Sequence, residues 1–544
     1  DSDKPAFYEL TYRKNGHWRT CIVNPVAISD ASTLVKTLPN EGILVSSKQS
    51  GAAGDFFNAF IETNESEIPS IKMFLKLGWH GTDFVLPSLN DGSYLIQDPM
   101  ANEKIKRAGK REVSIEILEE ISKYPFARLI VDANFAAPLV ELVDCRNFIL
   151  DLVCKSHQGK TMALIFANSM WGAQNWMTNF NATSNASEEF AAARNSLPTN
   201  VNEWQMTDSK RRDEISNQIV HRFSEGEGRA RLNRDSTPKP TKSWHGILIT
   251  TSEEPLTAEN AFQGVKTRTL EILANAVIGT CDSEGKTHLD QALCKKIWNK
   301  TKRNYGHLGA EFIQLIQEEF RDDPEFEGLR EESLSYFDIV MASRKEKIIA
   351  SYAEYIAALA CAHYRVEKWF LKKSDDEAMD STMEFIAFFA AMLPTEEEIS
   401  DIARAKSAII DWVLAYSAHF TPWQEYRDSG RQIDGILNDL PRFAITAKDP
   451  CYGFWIRNDL YVIPSELKKA LKERGFSDRK ILKEWAMNHD IEVSSDGKNL
   501  SITKKDADGN NKRVIGLSFI HDADNTESNL DSDGGDIPPE SIPF

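Results

Sequence analysis

The segment from Phe148 to Trp171 constrains the fold more than any other part of this 544-residue chain. An almost wholly apolar run, Phe148–Val153, predicts a buried, parallel β-strand. It is followed by Gln158-Gly159-Lys160-Thr161 and by the helix-like pattern Met162–Trp171. Such a loop offers phosphate converging N–H groups at a helix N-terminus, a lysine for the β and γ phosphates and a hydroxyl for Mg²⁺. The sequence therefore predicts a phosphate-binding loop.

The candidate ATP-binding residues of this loop are Gln158, Gly159, Lys160 and Thr161, and Thr161 is also a candidate Mg²⁺ ligand. The loop departs from the pattern GxxxxGK[ST] at its entry, where Cys154 replaces the first glycine. A capped helix with a surface lysine explains the same residues without a ligand, and this alternative stays open at the level of sequence.

An ATPase also needs an acidic pair on a neighbouring strand, one group for Mg²⁺ and one to orient the attacking water. The segment Pro198–Glu203 is the candidate. Glu203 is the predicted base, and Asn202 occupies the position where an aspartate is expected for the metal. Asn202 offers the metal a neutral oxygen, so the site lacks one negative charge. The alternative is a polar strand end.

A basic segment, residues 226–242, predicts a hairpin stiffened by Pro238 and Pro240, able to contact phosphates without reading bases. Its candidate DNA-binding residues are Arg229, Arg231, Arg234, Lys239 and Lys242. A solvated surface hairpin is the alternative. The strand Trp244–Thr250 follows, after which Thr251 is a candidate sensor of the γ phosphate.

Arg268 is a candidate arginine finger, a residue that stabilises transition-state charge on the ATP of a neighbouring subunit. It lies in the run Gln263–Ile272. The alternative interpretation pairs Arg268 with Glu271 on its own surface.

Apolar spacing and turn signals divide the chain into five parts. Residues 1–110 predict an N-terminal α+β domain, 111–285 an α/β nucleotide-binding core and 286–448 a helical subdomain. Residues 449–520 predict a winged helix, in the order strand, helix, helix and two strands. Residues 521–544, rich in Asp, Ser, Gly and Pro, predict a disordered acidic tail.

The second helix of the predicted winged helix begins after Ser477 and carries Arg479, Lys480 and Lys483, which are candidate DNA contacts. Asp478 and Glu484 dilute this charge. A protein-binding winged helix is therefore an open alternative.

Charge and composition narrow the class of protein. The net charge of −18 disfavours a uniformly basic nucleic-acid binder, but seven acids and no Lys or Arg fall in residues 521–544, so local basic clusters matter more than the total. No apolar run reaches the length of a membrane span, which predicts no membrane association. The N-terminus has no secretory leader pattern, which predicts a cytoplasmic location.

The order of motifs resembles the domain-of-unknown-function family numbered 927, found in phage and mobile-element replication proteins. The resemblance covers most of residues 5–520. It rests on Leu77-Gly78-Trp79-His80-Gly81, Phe84–Pro87, Gly159-Lys160-Thr161, Trp171-Gly172, Asn181–Asn185, Leu197–Glu203, Gly226–Ala230, Arg268, Tyr305-Gly306-His307 and the C-terminal winged-helix pattern.

Members of this family resemble the self-loading, minichromosome-maintenance-like helicases of staphylococcal mobile elements. The resemblance implies a hexameric AAA+ ring with a P-loop ATPase core, ATP and Mg²⁺ at subunit interfaces, and a hairpin on DNA in the channel. Arg268 falls at the finger position. Arg344, which the pattern Ser343–Glu346 predicts to open a helix, is a looser match to a second sensor of ATP.

The acidic tail ends in Ile542-Pro543-Phe544. This ending is similar to the tips of bacterial single-stranded-DNA-binding proteins, which predicts binding to host proteins that capture such tips. A merely solubilising tail is the alternative.

Three functions compete at this stage. The first is an ATP-dependent DNA helicase and replication initiator of a phage or mobile genetic element, acting as a ring on single-stranded or forked DNA. The second is an initiator or scaffold that uses ATP only to assemble, because Asn202 weakens the metal site. The third is a DNA-packaging motor, which would normally carry a nuclease domain. Residues 1–110 show no paired-carboxylate motif for a primase.

Overall fold

The computed structural model describes most of the chain. The described residues are 7–40, 42–177, 184–202, 212–229, 241–257, 261, 263–282, 286–345, 347–421, 450–456, 459–494, 499–505 and 510–520. The chain divides into two compact units, one of residues 1–73 and 91–95, the other of residues 74–90 and 96–544. No helix within the described ranges is long and apolar enough to cross a membrane.

The first unit contains an antiparallel hairpin and three helices. Strands β1 (Tyr8–Lys14) and β2 (His17–Val23) are joined by Asn15-Gly16, and both turn residues have positive φ, at 50° and 81°. This geometry fits a two-residue hairpin turn, which the Asn-Gly pair favours. Helices α1 (Pro25–Ser29), α2 (Ala31–Asn40) and α3 (Ser50–Asn64) follow.

Short strands connect this unit to the rest of the chain. They are β3 (Lys72–Phe74), β4 (Gly78–His80), β5 (Asp83–Val85) and β6 (Tyr94–Ile96), followed by α4 (Pro99–Lys104). The Trp79 indole N–H donates to the carbonyl of Pro138 at 2.7 Å, and its ring packs on Phe84 and Phe326. The Leu77–Gly81 motif is therefore a packing element of the second unit.

The centre of the second unit is a four-stranded parallel sheet. Its elements are α5 (Arg111–Ile121), α6 (Pro125–Ala136), β7 (Phe148–Val153), α7 (Lys160–Ser169), α8 (Ser184–Ala193), β8 (Thr199–Asn202), α9 (Arg212–Glu225), β9 (Ile247–Ser252), α10 (Gln263–Lys266) and β10 (Thr269–Leu273). The strand order is β10-β7-β9-β8, every pair is parallel, and β7 is buried along its whole length. The predicted buried, parallel strand is confirmed.

A helical region follows the sheet. It opens with the hairpin β11 (Gly279–Cys281) and β12 (Thr287–Leu289) and continues with α11 (Gln291–Lys300), α12 (Leu308–Glu319), α13 (Glu327–Ala342), α14 (Ala350–Trp369), α15 (Asp375–Ala390) and α16 (Glu396–Ile399). Helix α14 packs on α6, α13 and α15. Its Tyr355 ring stacks on Phe148 of β7, with ring centroids 4.2 Å apart.

The C-terminal part has its own core. Its elements are α17 (Asp401–Ala415), β13 (Phe420–Thr421), β14 (Gly453–Ile456), β15 (Asp459–Val462), α18 (Pro464–Glu473), α19 (Asp478–Met487), β16 (Ile491–Glu492), β17 (Ile502–Lys505) and β18 (Asn511–Leu517). The predicted order of elements is found, with an extra strand before α18 and a two-residue strand after α19. Trp412 of α17 shares one apolar cluster with Leu467 and Trp485.

A buried charge network joins α6 to α14. Arg128, only 3% exposed, contacts Asp132 at 2.7 Å and Glu367 at 2.6 Å, and His363 contacts Asp132 at 2.7 Å. Burial disfavours the charged form of Glu367, but Arg128, Lys373 and His363 outweigh it and hold the pKa of that carboxyl below its usual value. The network therefore depends on every partner being present.

Replacing Arg128 with methionine should lower the free energy of unfolding by about 3–5 kcal/mol, because it removes the guanidinium that contacts both buried carboxylates and leaves only His363 and Lys373 beside them. Thermal unfolding measures the effect. Arg111→Met is the matched control, since Arg111 also contacts a carboxylate, Glu311 at 2.6 Å, but at a side chain that is 35% exposed. The control should lose less than about 1 kcal/mol. Equal losses in the two variants would contradict the assignment.

Candidate phosphate-binding site

The loop between β7 and α7, residues 154–159, ends in a glycine with a left-handed backbone conformation. Gly159 has a φ of +90° and precedes Lys160, the first residue of α7. A Cβ at Gly159 would lie 2.7 Å from the Cβ of Ile278. Only glycine fits there, and the N–H groups of the first turn of α7 remain directed into the loop.

Lys160 closes this loop. Its ammonium donates to the carbonyl of Cys154 and, at 3.0 Å, to that of Lys155, and the residue is 8% exposed. A surface lysine on a capped helix would extend into solvent instead. The charge is therefore concentrated where the helix N-terminus also attracts anions.

The unusual Cys154 fits the loop without strain. Its N–H donates to the carbonyl of Ser252 at 3.0 Å, its Sγ lies 3.5 Å from the carbonyl of Asn275, and its φ is not positive. Burial raises the pKa of the thiol, although Lys160 acts in the opposite direction. A neutral cysteine is thus accommodated here in a backbone conformation that does not require glycine.

Two oxygen ligands suited to a hard cation meet beside the loop. The Thr161 hydroxyl donates to the side-chain oxygen of Asn202 at 3.2 Å, although the two residues lie on α7 and β8, separated by β9. The structure therefore brings together the two predicted Mg²⁺ ligands. Glu203, the predicted base, lies outside the described residues.

Two further predicted residues border the loop. Thr251 lies beside Asn202 in the register of β9 and β8, it is fully buried, and its hydroxyl has no hydrogen-bond partner among the described residues. The side-chain oxygen of Gln158 is also buried and unpaired among the described residues. The backbone carbonyl of Gln158 accepts from the N–H groups of Val277 and Ile278. Both side chains therefore have unused hydrogen-bonding capacity within the part of the chain that the structure describes.

Asp151, on β7, is a buried acid that the sequence analysis missed. It accepts from the N–H of Leu256 at 2.7 Å and from the hydroxyls of Thr250 and Ser252 at 2.8 and 3.1 Å. Burial raises its pKa to about 6, against these hydrogen bonds. The only feature of the sequence that could have indicated this site is a single acid within an otherwise apolar strand. Asp151 fixes the turn after β9.

Arg268 and the phosphate loop lie at opposite ends of the parallel strands. Its carbonyl accepts from the N–H of Ile149 at 3.1 Å, at the start of β7, whereas Cys154 follows the end of that strand. Five residues of extended chain separate the two points by roughly 16 Å. Arg268 therefore cannot contact a phosphate bound by Lys160 of the same chain.

The position of Arg268 is fixed by several contacts. Its guanidinium donates to the carbonyl of Gly264 at 2.5 Å, and the hydroxyl of Tyr355 donates to the carbonyl of Thr267 at 3.0 Å. Glu271, the alternative partner proposed from sequence, instead accepts from Thr257 at 2.8 Å.

The base of the basic hairpin is formed as predicted. Gly228 donates to the carbonyl of Lys242 at 2.8 Å, and the side chain of Asn147 donates to the carbonyl of Trp244 at 3.0 Å. Arg229 is largely exposed, with Glu188 3.9 Å away. The other candidate DNA contacts of the hairpin, Arg231, Arg234 and Lys239, lie outside the described residues.

The prediction that Ser343-Arg344 opens a helix is wrong. Helix α13 ends at Ala342, and the guanidinium of Arg344 donates to the carbonyl of Leu393 at 2.5 Å, just beyond α15. The carbonyls at a helix C-terminus need donors, and Arg344 supplies one. Its role as a sensor of ATP stays a prediction.

The basic residues of α19 are divided between two environments. Arg479, Lys480 and Lys483 are all exposed, and Lys480 differs from the other two by its ion pair. Lys480 contacts the carboxylate of Asp401 at 3.1 Å, and Asp401 also accepts from the N–H of Gln263 at 3.0 Å. The tail residues Ile542, Pro543 and Phe544 lie outside the described residues.

These features define a mixed α/β protein in which a parallel sheet leads into a loop suited to phosphate. Residues 2–243 match the family model described as Domain of unknown function (DUF927), and residues 400–522 match that of the Cch helix turn helix domain. The predicted resemblance to this family is confirmed for residues 2–243, and the C-terminal segment 400–522 matches a Cch-type helix-turn-helix domain.

Among solved structures, the chain is similar to one described as "SCCmec type IV Cch - active helicase". The TM-score is 0.64 at 15% identity, over 94% of this chain and 90% of that one. At this identity the likeness concerns the fold. The comparison with curated proteins gives no match.

Replacing Asp151 with asparagine should change how stability depends on pH. Because the native pKa lies above that of the unfolded chain, the favourable contribution of Asp151 is present at low pH and is lost as the pH rises through about 6. From pH 5 to pH 7 the difference in unfolding free energy should therefore move by about 1–2 kcal/mol in favour of the variant. Denaturant unfolding at both pH values measures it, and parallel pH curves would refute the assignment.

Proposed function

We propose that this protein is an ATP-dependent DNA helicase and replication initiator of a phage or mobile genetic element, with an AAA+ P-loop ATPase core. One observation carries the proposal: Lys160, Thr161 and Asn202 lie together at the carboxyl ends of the parallel strands, while Arg268 is fixed at their amino ends. The likeness in fold to a structure described as an active helicase, and the helix-turn-helix domain, support the same conclusion.

The oxygen atoms beside the loop suit Mg²⁺, and the N–H and ammonium groups suit the phosphates of ATP. Mg²⁺ prefers oxygen ligands and usually shares them with water and substrate phosphates. Thr161 and Asn202 would hold the ion, which supplies charge neutralisation for the phosphates when bound. Lys160 and the N–H groups of α7 would bind the β and γ phosphates. Thr251, with its buried and unpaired hydroxyl, would sense the γ phosphate.

The strand order supports the AAA+ assignment. Strand β9 lies between β7, which leads to the loop, and β8, which carries Asn202. Thr251 of β9 is thereby placed between the loop and the candidate metal ligand. Glu203 follows Asn202 directly in the chain and would orient the attacking water.

The separation of Arg268 from the loop supports a ring. An arginine that cannot reach its own site can stabilise the transition state in a neighbouring subunit. A hexamer, as the family resemblance implies, would place each Arg268 against the next subunit's ATP. The basic hairpin and α19 would then contact DNA, and the helical region would carry the sensor Arg344. The predicted domain limits and the capture of the tail by host proteins belong to this proposal.

A second function, an initiator that assembles on DNA with little ATP turnover, is favoured by Asn202 alone. An amide in place of a carboxylate removes one negative charge from the metal site. The two functions differ in turnover, because a motor must hydrolyse ATP faster when DNA is bound.

ATP hydrolysis measured with and without single-stranded and forked DNA tests the proposal. DNA should raise turnover, and Lys160→Ala should lower it by at least about 100-fold by removing the cation that stabilises the phosphates. Asn202→Asp, which restores the missing charge, should raise turnover or lower the Mg²⁺ concentration required. ATP binding without turnover in the wild type would favour the initiator.

Mixing two inactive variants tests whether Arg268 acts on a neighbour. Arg268→Ala alone should lose about 1000-fold or more in turnover. In mixed rings, interfaces that pair the intact loop of Arg268→Ala with the intact arginine of Lys160→Ala should regain activity. The double variant Lys160→Ala/Arg268→Ala, mixed with either single variant, is the control. No recovery in the first mixture would show that Arg268 is not a finger between subunits.

A further inference from the structure

Helix α11 presents a basic and aromatic face that neither the hairpin nor the helix-turn-helix domain includes. Residues 291–304 contain five cations and no acid, in a chain whose net charge is −18. The five are Lys295, Lys296, Lys300, Lys302 and Arg303. Such a local concentration of one sign in an acidic protein marks a surface for an anionic partner.

One side of α11 packs against the protein, so the opposite side is exposed to solvent. Leu293 and Ile297 are buried, and Lys296 contacts Glu116 and Glu120 of α5 at 3.3 and 2.7 Å. The four other cations have no carboxylate partner among the described residues. Their charge is available to a ligand.

An exposed tryptophan lies in the middle of this face. Trp298 is 43% exposed, and the ammonium of Lys302 lies 4.0 Å from the centroid of its ring. At helical spacing, Lys295 and Asn299 lie on the same side as Trp298. An aromatic ring flanked by cations is the arrangement on which unpaired bases stack while the backbone phosphates are neutralised.

We propose that the outer face of α11 and the turn that follows it, formed by Lys295, Trp298 and Asn299 of the helix and Lys302 of the turn, binds single-stranded nucleic acid by stacking a base on Trp298. Duplex DNA does not suit it, because paired bases are already stacked. A membrane surface does not suit it either, since the apolar side of α11 is buried and the outer face carries one aromatic residue among polar ones.

The proposed surface is connected to the phosphate loop. Asp290, which caps α11 by accepting from the N–H of Leu293, donates its own N–H to the carbonyl of Ile278 at 3.0 Å. The N–H of Ile278 in turn donates to the carbonyl of Gln158 at 3.0 Å. The N-terminal end of α11 is therefore joined to the loop at Gln158 by two backbone hydrogen bonds.

The inference deepens the proposed function, and it can be tested without ATP. Fluorescence anisotropy of a labelled oligothymidylate measures binding to the full chain. Trp298→Ala should weaken it about 5- to 100-fold, and Trp298→Phe, which retains a stacking ring, should retain most of the affinity. Lys295→Glu/Lys302→Glu should reduce the slope of log K against log salt by about 1.4, which corresponds to two lost phosphate contacts.

The double variant Arg321→Glu/Lys347→Glu is the charge-matched control, because both residues are exposed and lie outside α11. It should bind as the wild type does. Photo-crosslinking of an iodouracil-substituted oligonucleotide should label the peptide that contains Trp298. Unchanged binding by Trp298→Ala, with no label in residues 291–304, would overturn the proposal, whether or not the chain hydrolyses ATP.

An acidic peptide is the competing occupant, and the chain itself ends in one. A labelled peptide of residues 521–544 tests it. If this peptide binds the wild type and loses affinity for Trp298→Ala and Lys295→Glu/Lys302→Glu while oligothymidylate binding is unchanged, α11 is a protein-binding surface and the assignment is wrong. Loss of oligothymidylate binding alone supports the assignment.

Discussion

The structure depends on the parallel pairing of β7 with β9 and β10. Strand β7 is buried along its length and has no free edge, because it pairs with β10 on one side and with β9 on the other. Its two ends lie at opposite ends of the parallel strands. The end after Val153 leads into the phosphate loop. The start, near Phe148, lies beside Arg268 and the base of the basic hairpin. One strand thereby determines which residues meet and which are kept apart.

The parts of the fold that were predictable from sequence are local. An apolar run before Gly159-Lys160-Thr161 indicates a strand, loop and helix, and Asn15-Gly16 indicates a hairpin turn, because each depends on the conformational preferences of adjacent residues. Strand order is not local. Thr161 lies on the helix that follows β7 and Asn202 lies on β8, so their contact depends on the strand order β7-β9-β8. Arg344, predicted to open a helix, instead contacts the carbonyl of Leu393 just beyond α15, a residue distant in sequence.

Asp401 shows a further kind of information that sequence patterns do not carry. Its buried carboxylate accepts from the N–H of Gln263 and contacts Lys480, while Arg404 donates to the carbonyl of Ala261 at 2.8 Å. These groups come from three distant segments of the chain. A single carboxylate thus links α19 of the helix-turn-helix domain to α10, the short helix that precedes Arg268.

The opposed positions of Lys160 and Arg268 have a consequence for the cell. If each subunit contributes half of a site at either end, a dilute chain is inert however much nucleotide surrounds it. The rate of ATP hydrolysis then rises more steeply than the number of protein molecules. A few molecules made by leaky expression would therefore hydrolyse little ATP. The geometry of one sheet would then make ATP turnover a threshold function of protein concentration.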